Sequence, residues 1–176
     1  MSDAVGCVIG DGVVYLKLRG ELRHDNAGSL EALVEHCFDA DNNAIRGAVI
    51  DLNDVSFLDS TAIGLLAAIA RELQARQLPP PTVFSTHQEI NQLLRSLRLD
   101  RAFTLVDKAT DGRQLSAVAD LTQGSDGENE QCSAAAILRA HETLIALNEG
   151  NRAAFGPVVD LIRQQLRPAD ETSDNG

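Results

Sequence analysis

The sequence has few aromatic residues and no excess of positive charge. Aromatic side chains make up 3% of its 176 residues, with no Trp, one Tyr and five Phe, so a platform for stacking single-stranded bases is missing. Its 15 basic and 26 acidic residues give a formal net charge of −11 at pH 7, and such a chain repels polyanions. We therefore expect protein or small-molecule partners rather than nucleic acid or an anionic membrane surface.

Long apolar runs and paired cysteines are also missing. The longest apolar stretch, Ala62 to Ala70, is only about half of what a bilayer span needs, and the first residues lack the basic segment of a signal peptide. Cys7, Cys37 and Cys132 have no C-x-x-C spacing, which argues against a disulfide framework or a structural zinc site. We expect a cytoplasmic protein without membrane insertion.

The common enzyme motifs are absent as well. The sequence contains no phosphate-binding P-loop, dinucleotide-binding G-x-G-x-x-G, G-x-S-x-G elbow or H-E-x-x-H pair. The histidines share no metal-ligand spacing, and we interpret each as an ordinary surface or helix-face residue: His24, His36, His87 and His141. We therefore expect a protein that is not an enzyme and that has no metal and no cofactor.

The sequence does contain β-branched runs that alternate with helical stripes. The predicted elements are a hairpin of strands 5–9 and 13–18 closed by Gly20, a helix 27–38, a strand 47–52, a loop 53–60, a helix from Ser60 toward Arg76, a strand 82–84, a helix through 90–97, a strand 103–106 and a short helix 111–118. This order requires crossovers between parallel strands. It predicts an α/β fold, with a sheet of about five strands and helices packed on it.

The last third of the chain differs in composition. Residues 122–130 are rich in Gly and acidic side chains, as in a solvated linker. Two helical patterns follow within 131–167, and we expect 168–176 to be a disordered tail. Residues 1–121 would then form the α/β domain. The helical hairpin must bury its apolar stripe against that domain, a second copy or a partner chain.

Residues 51–64 are the most informative segment, with the sequence D-L-N-D-V-S-F-L-D-S-T-A-I-G. Asp59, Ser60 or Thr61 can cap the helix that follows, because such side chains accept hydrogen bonds from its first N–H groups. An exposed hydroxyl at a helix N-terminus can also carry a phosphate, which meets free N–H groups and the positive end of the helix dipole. The segment is therefore either a simple cap or a modification site.

This segment carries a resemblance to a known family. Residues 51–65, with Leu18-Arg-Gly-Glu-Leu22 before them and Asn26-Ala27 at the first predicted helix, are similar to a STAS domain of the bacterial anti-sigma factor antagonist family. The resemblance covers about Ala4 to Leu121, and the D-L-x-x-V-x-F-L-D-S core is fairly specific. It implies a STAS-like fold for this region and does not cover the helical hairpin.

The resemblance also implies a partner-switching function. Such a domain binds a switch-protein kinase, which is also the anti-sigma factor, while its motif serine is unphosphorylated, and it releases the kinase once phosphorylated. A PP2C-type phosphatase resets it. The implied phosphorylation site is Ser60, with Thr61 as second candidate. The implied partner-binding residues are Asp59, Ser60, Thr61, Ala62, Ile63 and Gly64.

Two questions stay open at this point. Ala62 stands where the family commonly has Gly, which would alter partner choice or mark a domain that binds without being phosphorylated. The alternative function is thus a constitutive STAS interaction subunit of a transporter-linked or signalling scaffold complex, in which Ser60 is only a cap. The helical hairpin would either form a homodimer or mask the Ser60 surface until displaced.

Overall fold

The computed structural model describes residues 5–39, 41–107 and 132–166. The strands in these ranges are β1 (Val5–Gly10), β2 (Val13–Leu22), β3 (Gly47–Leu58), β4 (Thr82–Phe84) and β5 (Thr104–Val106). The α-helices are α1 (Gly28–Cys37), α2 (Ser60–Ala75), α3 (Gln88–Ser96), α4 (Ala134–Leu147) and α5 (Asn151–Leu166), and a 3₁₀ helix spans Leu99–Arg101. The predicted helix 111–118, linker 122–130 and tail 168–176 lie outside the described residues.

The strands form one mixed sheet in the order β1-β2-β3-β4-β5. β1 and β2 are an antiparallel hairpin, whereas β2, β3, β4 and β5 run parallel to one another. Parallel neighbours need crossover connections, and α1, α2 and α3 lie in those connections. The predicted α/β fold, with a sheet of about five strands, helices packed on it and a C-terminal helical hairpin, is confirmed.

The turn of the β1–β2 hairpin requires glycine. Asp11 and Gly12 have φ angles of 54° and 79°, the positive values that a two-residue hairpin turn demands at both central positions. Gly12 also touches the segment that leads into β3, because its carbonyl accepts a hydrogen bond of 2.6 Å from the Arg46 N–H. A Cβ at position 12 would lie 2.8 Å from the Ala44 carbonyl oxygen.

The predicted loop 53–60 is wrong, because β3 continues to Leu58. The second half of β3 pairs with the end of β2, where Val55 lies opposite Gly20 and Leu58 opposite Leu22. Gly20 does not close the hairpin as expected; it has a φ of 74° and lies at a register irregularity inside β2. Pairing with a long neighbour therefore overrides the turn-forming Asn and Asp residues of this segment.

The core is aliphatic, as the small number of aromatic residues indicates. Most of the large, fully buried side chains come from the sheet and from α2, and all are leucines or isoleucines: Leu16, Leu18, Leu22, Leu30, Ile50, Leu52, Ile63, Leu66, Ile69, Leu73, Leu94 and Leu99. Their removal from water is the main force that holds α2 on the sheet. In the described part of the chain, no helix is long and apolar enough to cross a membrane.

The C-terminal helical hairpin packs against the α/β domain. α4 lies on α2, and α5 packs on α4. The chain therefore adopts the first of the three predicted arrangements. The stripe of α5 is only partly covered, since Val159 and Ile162 are buried and Val158 and Leu166 are exposed.

Alanine substitutions at Gly12 and Gly10 test the geometry of the β1–β2 turn. We expect Gly12→Ala to lower the free energy of unfolding by about 2 kcal/mol, because Ala is strained at positive φ and its Cβ would meet the Ala44 carbonyl. Gly10→Ala is the matched control, since a Cβ there meets nothing within 4 Å, and it should be neutral or slightly stabilising. Urea denaturation of both variants measures the difference, and equal stabilities would contradict the assigned turn.

Candidate functional site

The site begins where β3 passes into α2. Only Asp59 separates Leu58, the last residue of β3, from Ser60, the first residue of α2. Asp59 is the N-cap, because its Oδ1 accepts a hydrogen bond of 2.8 Å from the Ala62 N–H. Of the three predicted candidates Asp59 is thus the cap, and the Ser60 hydroxyl is not used in capping the helix.

Asp59 also holds the segment between β2 and α1. Its second oxygen, Oδ2, accepts a hydrogen bond of 2.7 Å from the His24 N–H and lies 3.3 Å from the His24 Nδ1. The His24 carbonyl in turn accepts a hydrogen bond of 2.8 Å from the Cys132 N–H, just before α4. One carboxylate therefore fixes the start of α2 and connects it, through His24, to the base of the helical hairpin.

The Ser60 hydroxyl contacts a histidine of the helical hairpin. Its Oγ lies 2.8 Å from Nε2 of His141 on α4, and the other ring nitrogen, Nδ1, lies 2.7 Å from the Ile137 carbonyl oxygen. Because a carbonyl can only accept, Nδ1 carries a hydrogen. In the neutral ring Nε2 is then the acceptor, and the Ser60 hydroxyl donates to it. The Phe155 ring packs edge-on against the imidazole, and the two ring centroids are 5.5 Å apart.

Two expectations from the sequence are corrected here. The Ser60 hydroxyl is not exposed freely at the helix N-terminus, since Ser60 is half-buried and α4 contributes a hydrogen-bond partner. His141 is not an ordinary helix-face residue, because only 4% of it is exposed. It lies 81 residues from Ser60, so no motif joins them. The sequence signal that could have indicated the burial of His141 is its position next to Ala140 and three residues before Leu144, on the apolar stripe of α4.

The other predicted partner-binding residues are buried. Thr61 is 3% exposed, and Ala62 and Ile63 belong to the main core at 0% and 1%. Gly64 lies directly against α4: a Cβ built on it would be 2.5 Å from the carbonyl oxygen of Ala140 and 2.6 Å from its Cβ. The structure thus brings Asp59 and Ser60 together at the edge of the α2–α4 contact and covers the rest.

Further polar contacts hold the start of α4 on α1. Ser133 caps α4 by accepting from the Ala136 N–H at 3.1 Å, and its hydroxyl donates to Glu31 at 2.8 Å. Burial raises the pKa of the neighbouring Cys132 thiol to about 11, and the carboxylates of Glu31 and Asp59 add to this. The Cys132 thiol is therefore protonated at neutral pH.

The chemistry that this arrangement supports is anion binding or modification at a helix N-terminus. Ser60 lies at the start of a 16-residue helix, where the helix dipole favours negative charge. Within residues 5–39, 41–107 and 132–166, no group of three or more His, Cys, Asp or Glu side chains could hold a metal ion. The site offers the Ser60 hydroxyl in contact with the His141 imidazole, next to the Asp59 carboxylate.

Comparison with known proteins agrees with the fold. A sequence model of the STAS domain matches residues 7–111, more than half of the chain, and both helices of the C-terminal hairpin lie outside that match. The structure of the anti-sigma factor antagonist SpoIIAA in its unphosphorylated form has a TM-score of 0.52 and 19% identity, and the match covers 66% of this chain and 98% of that one.

Two further solved structures are similar. The Bacillus cell fate determinant SpoIIAA in its phosphorylated form has a TM-score of 0.51 and 20% identity, over 65% of this chain and 99% of that one. An anti-sigma factor antagonist from Mycobacterium paratuberculosis is 25% identical, with a TM-score of 0.47, over 68% of this chain and 98% of that one. At 20% identity or below, the SpoIIAA structures support the fold alone.

Removing the Asp59 carboxylate should destabilise the protein. Asp59→Ala leaves the Ala62 and His24 N–H groups without their acceptor, and we expect a loss of about 2 kcal/mol in the free energy of unfolding. Asp160→Ala, at an exposed position of α5, controls for the removal of one negative charge. Urea denaturation compares them, and an equal effect of the two substitutions would contradict the role of Asp59.

Gly64→Ala should destabilise the protein although Ala favours helix by about 1 kcal/mol over Gly. The added Cβ would collide with the Ala140 backbone, and overpacking of this kind costs about 1–3 kcal/mol. Gly156→Ala on α5 is the control, since its Cβ would meet only the Arg152 side chain at 3.8 Å. Higher stability of Gly64→Ala than of wild type in urea denaturation would rule out the close α2–α4 contact.

Proposed function

Because this chain belongs to the STAS domain family, we propose that it is a partner-switching protein of the anti-sigma factor antagonist type. In this proposal the chain binds a switch-protein kinase, which is also an anti-sigma factor, while Ser60 is unphosphorylated. Phosphorylation of Ser60 releases the kinase, and a PP2C-type phosphatase restores the binding form. The chain is then a substrate and a ligand of the kinase.

The observation that carries this proposal is the position of Ser60. It is the first residue of α2 and follows the cap residue Asp59 directly, so its hydroxyl can be modified without loss of the cap. A phosphate at this position meets the positive end of the α2 dipole, an interaction worth about 0.3–1 kcal/mol at an exposed site. Phosphorylation is therefore compatible with the folded domain.

The same phosphate would oppose binding. It adds about −1.5 to −2 charges at pH 7, beside the Asp59 carboxylate and on a chain whose formal net charge is already −11. A partner surface that fits the neutral hydroxyl would meet uncompensated negative charge after modification, which is costly when water is excluded. One group transfer can thus change the affinity for the partner without a change of fold.

The similarity to SpoIIAA supports a two-state cycle. SpoIIAA is described as an anti-sigma factor antagonist, and its unphosphorylated and phosphorylated forms both share the fold of this chain. We propose the same two covalent states here. Ser60 is the preferred acceptor over Thr61, because Ser60 is half-buried whereas Thr61 is 3% exposed.

The replacement of Gly by Ala62 does not stand against this function. Ala62 is fully buried among the core residues, so its methyl group does not reach a surface that a partner would approach. Near the end of β3, three positions before Ser60, Phe57 is 39% exposed, and the Arg23 guanidinium lies 4.1 Å from its ring centre. Aromatic and Arg side chains are the types that commonly anchor partners.

One observation favours the alternative of a constitutive interaction subunit. The Ser60 hydroxyl already donates a hydrogen bond to His141, and this contact gives the serine a structural role without any phosphate. In that case the partner would bind the unmodified chain permanently. The two functions differ in whether substitution of Ser60 changes partner binding.

Phosphorylation by a switch kinase tests the proposal. We expect the purified full-length chain, incubated with ATP and its kinase, to gain one phosphate, and peptide mass spectrometry to locate it on residue 60. Ser60→Ala should abolish the modification and keep kinase binding, whereas Ser60→Asp should weaken binding at least about tenfold, or 1.4 kcal/mol.

Ser56→Ala and Ser56→Asp are the matched controls, because Ser56 is an exposed serine on β3 four positions earlier. Neither should change the modification of residue 60 or reduce binding as much as Ser60→Asp. Equal kinase affinity of wild type, Ser60→Ala and Ser60→Asp would refute the phosphorylation switch and support the constitutive subunit.

A further inference from the structure

We propose that the C-terminal helical hairpin of α4 and α5 holds the chain in a closed form, in which α4 occupies the face of α2 that the kinase needs. The occupant of that face is α4 of the same chain, with His141 on the Ser60 hydroxyl and Ala140 on Gly64. This inference rests on the proposed function for its biological meaning, since it concerns the regulation of Ser60.

In the closed form the Ser60 hydroxyl is not accessible to a kinase. Phosphoryl transfer requires the acceptor oxygen to approach the phosphorus atom in line with the leaving group. In the closed form the Ser60 Oγ faces Nε2 of His141 at 2.8 Å, and the imidazole is held by the Ile137 carbonyl and the Phe155 ring. A nucleotide cannot occupy the position of this ring, so the closed form is a poor kinase substrate.

The closed form also leaves no space on α2 for a second helix at Gly64. Packed helices are normally about 8–10 Å apart, and at Gly64 the separation is small enough that a methyl group would collide with the Ala140 backbone. No other helix can contact Gly64 while α4 lies there. Binding of a partner helix at Gly64 and packing of α4 at the same position are therefore mutually exclusive.

Displacement of α4 requires that its contacts with α2 and the core can be broken. The buried apolar residues of α4 are Ala136, Ala140 and Leu144, and Ile137 and Leu147 are partly buried against the core. The ion pair between Arg139 and Glu35 has both side chains more than half exposed, and such pairs contribute about 0–1 kcal/mol. The proposal requires that the free energy of partner binding exceed the free energy of these contacts.

The population of the closed form lowers the apparent affinity of the chain for its partner. If only a fraction of molecules is open, the apparent dissociation constant is the intrinsic constant divided by that fraction. The STAS match ends at residue 111, before α4 and α5, and the proposal requires that the sheet, α1, α2 and α3 stay folded when the helical hairpin leaves. A displacing partner helix must present a small residue opposite Gly64, as Ala140 does.

Thiol labelling of residue 60 tests the closed form without any kinase. The full-length Ser60→Cys variant is treated with N-ethylmaleimide at pH 7, and peptide mass spectrometry measures modification of each cysteine. The native thiols react slowly at this pH, because burial raises the pKa of Cys7 and Cys132 to about 11 and also raises that of Cys37.

Opening variants on α4 should accelerate the labelling. We expect Ala140→Leu, which forces α4 away from Gly64, to raise the labelling rate of Cys at position 60 at least about tenfold. His141→Ala is a second variant, which removes the ring that covers the site. Ala146→Leu, at an exposed position of the same helix, should leave the rate unchanged.

A reference position makes the result decisive. Ser56→Cys, on the exposed side of β3, should be labelled fast with or without Ala140→Leu. Labelling of residue 60 as fast as residue 56 in the otherwise wild-type chain overturns the proposal. A second result would also overturn it. If light scattering gives the mass of two chains and the labelling rate of residue 60 rises on dilution, α4 comes from a second copy.

The two proposals fail separately. Slow labelling of residue 60 that both opening variants accelerate supports the closed form even if no kinase ever phosphorylates Ser60. Fast labelling in the otherwise wild-type chain refutes the closed form even if the kinase modifies Ser60. With both confirmed, Ala140→Leu should raise the rate of phosphorylation by the kinase at least about tenfold.

Discussion

The contact between α2 and α4 is the interaction on which the rest of this account depends. At its edge the Ser60 hydroxyl donates to His141, and at its centre the missing side chain of Gly64 lets the two backbones meet at Ala140. A glycine at this position lowers the stability of the helix by about 1 kcal/mol relative to Ala. Its missing Cβ is what permits the close approach of α4. The same contact covers the residue that a kinase would modify.

The α/β domain supplies a rigid support for this contact. β3 runs without a loop to Leu58, and Asp59 starts α2 while also binding the His24 N–H. Ser60 is therefore fixed in position by the sheet and by a cap. In the two proposals, only the covalent state of the hydroxyl and the occupant of the α2 face change. Regulation through these two variables needs no rearrangement of the core, which tolerates little change in packing.

The sequence allowed the sheet and most helices to be predicted, because period-two and helical patterns are local signals. It failed at 53–58, where Asn53 and Asp54 suggest a turn but the parallel neighbour β2 supplies the hydrogen bonds that extend β3. It pointed to Ser60 through a contiguous motif. It missed His141, since the contact joins residues 81 positions apart and depends on how α4 docks, which no local pattern of the α/β domain encodes.

Hydrogen–deuterium exchange of α4 in the free chain and in its complex with the switch kinase is the most direct measurement of the central claim. If α4 and the kinase compete for the α2 face, the amides of Ala134–Leu147 are protected in the free chain and exchange faster in the complex, while those of β3 stay protected. Unchanged protection of α4 in a stable complex would contradict this account, because the kinase would then bind Ser60 or its surroundings without displacing the helix.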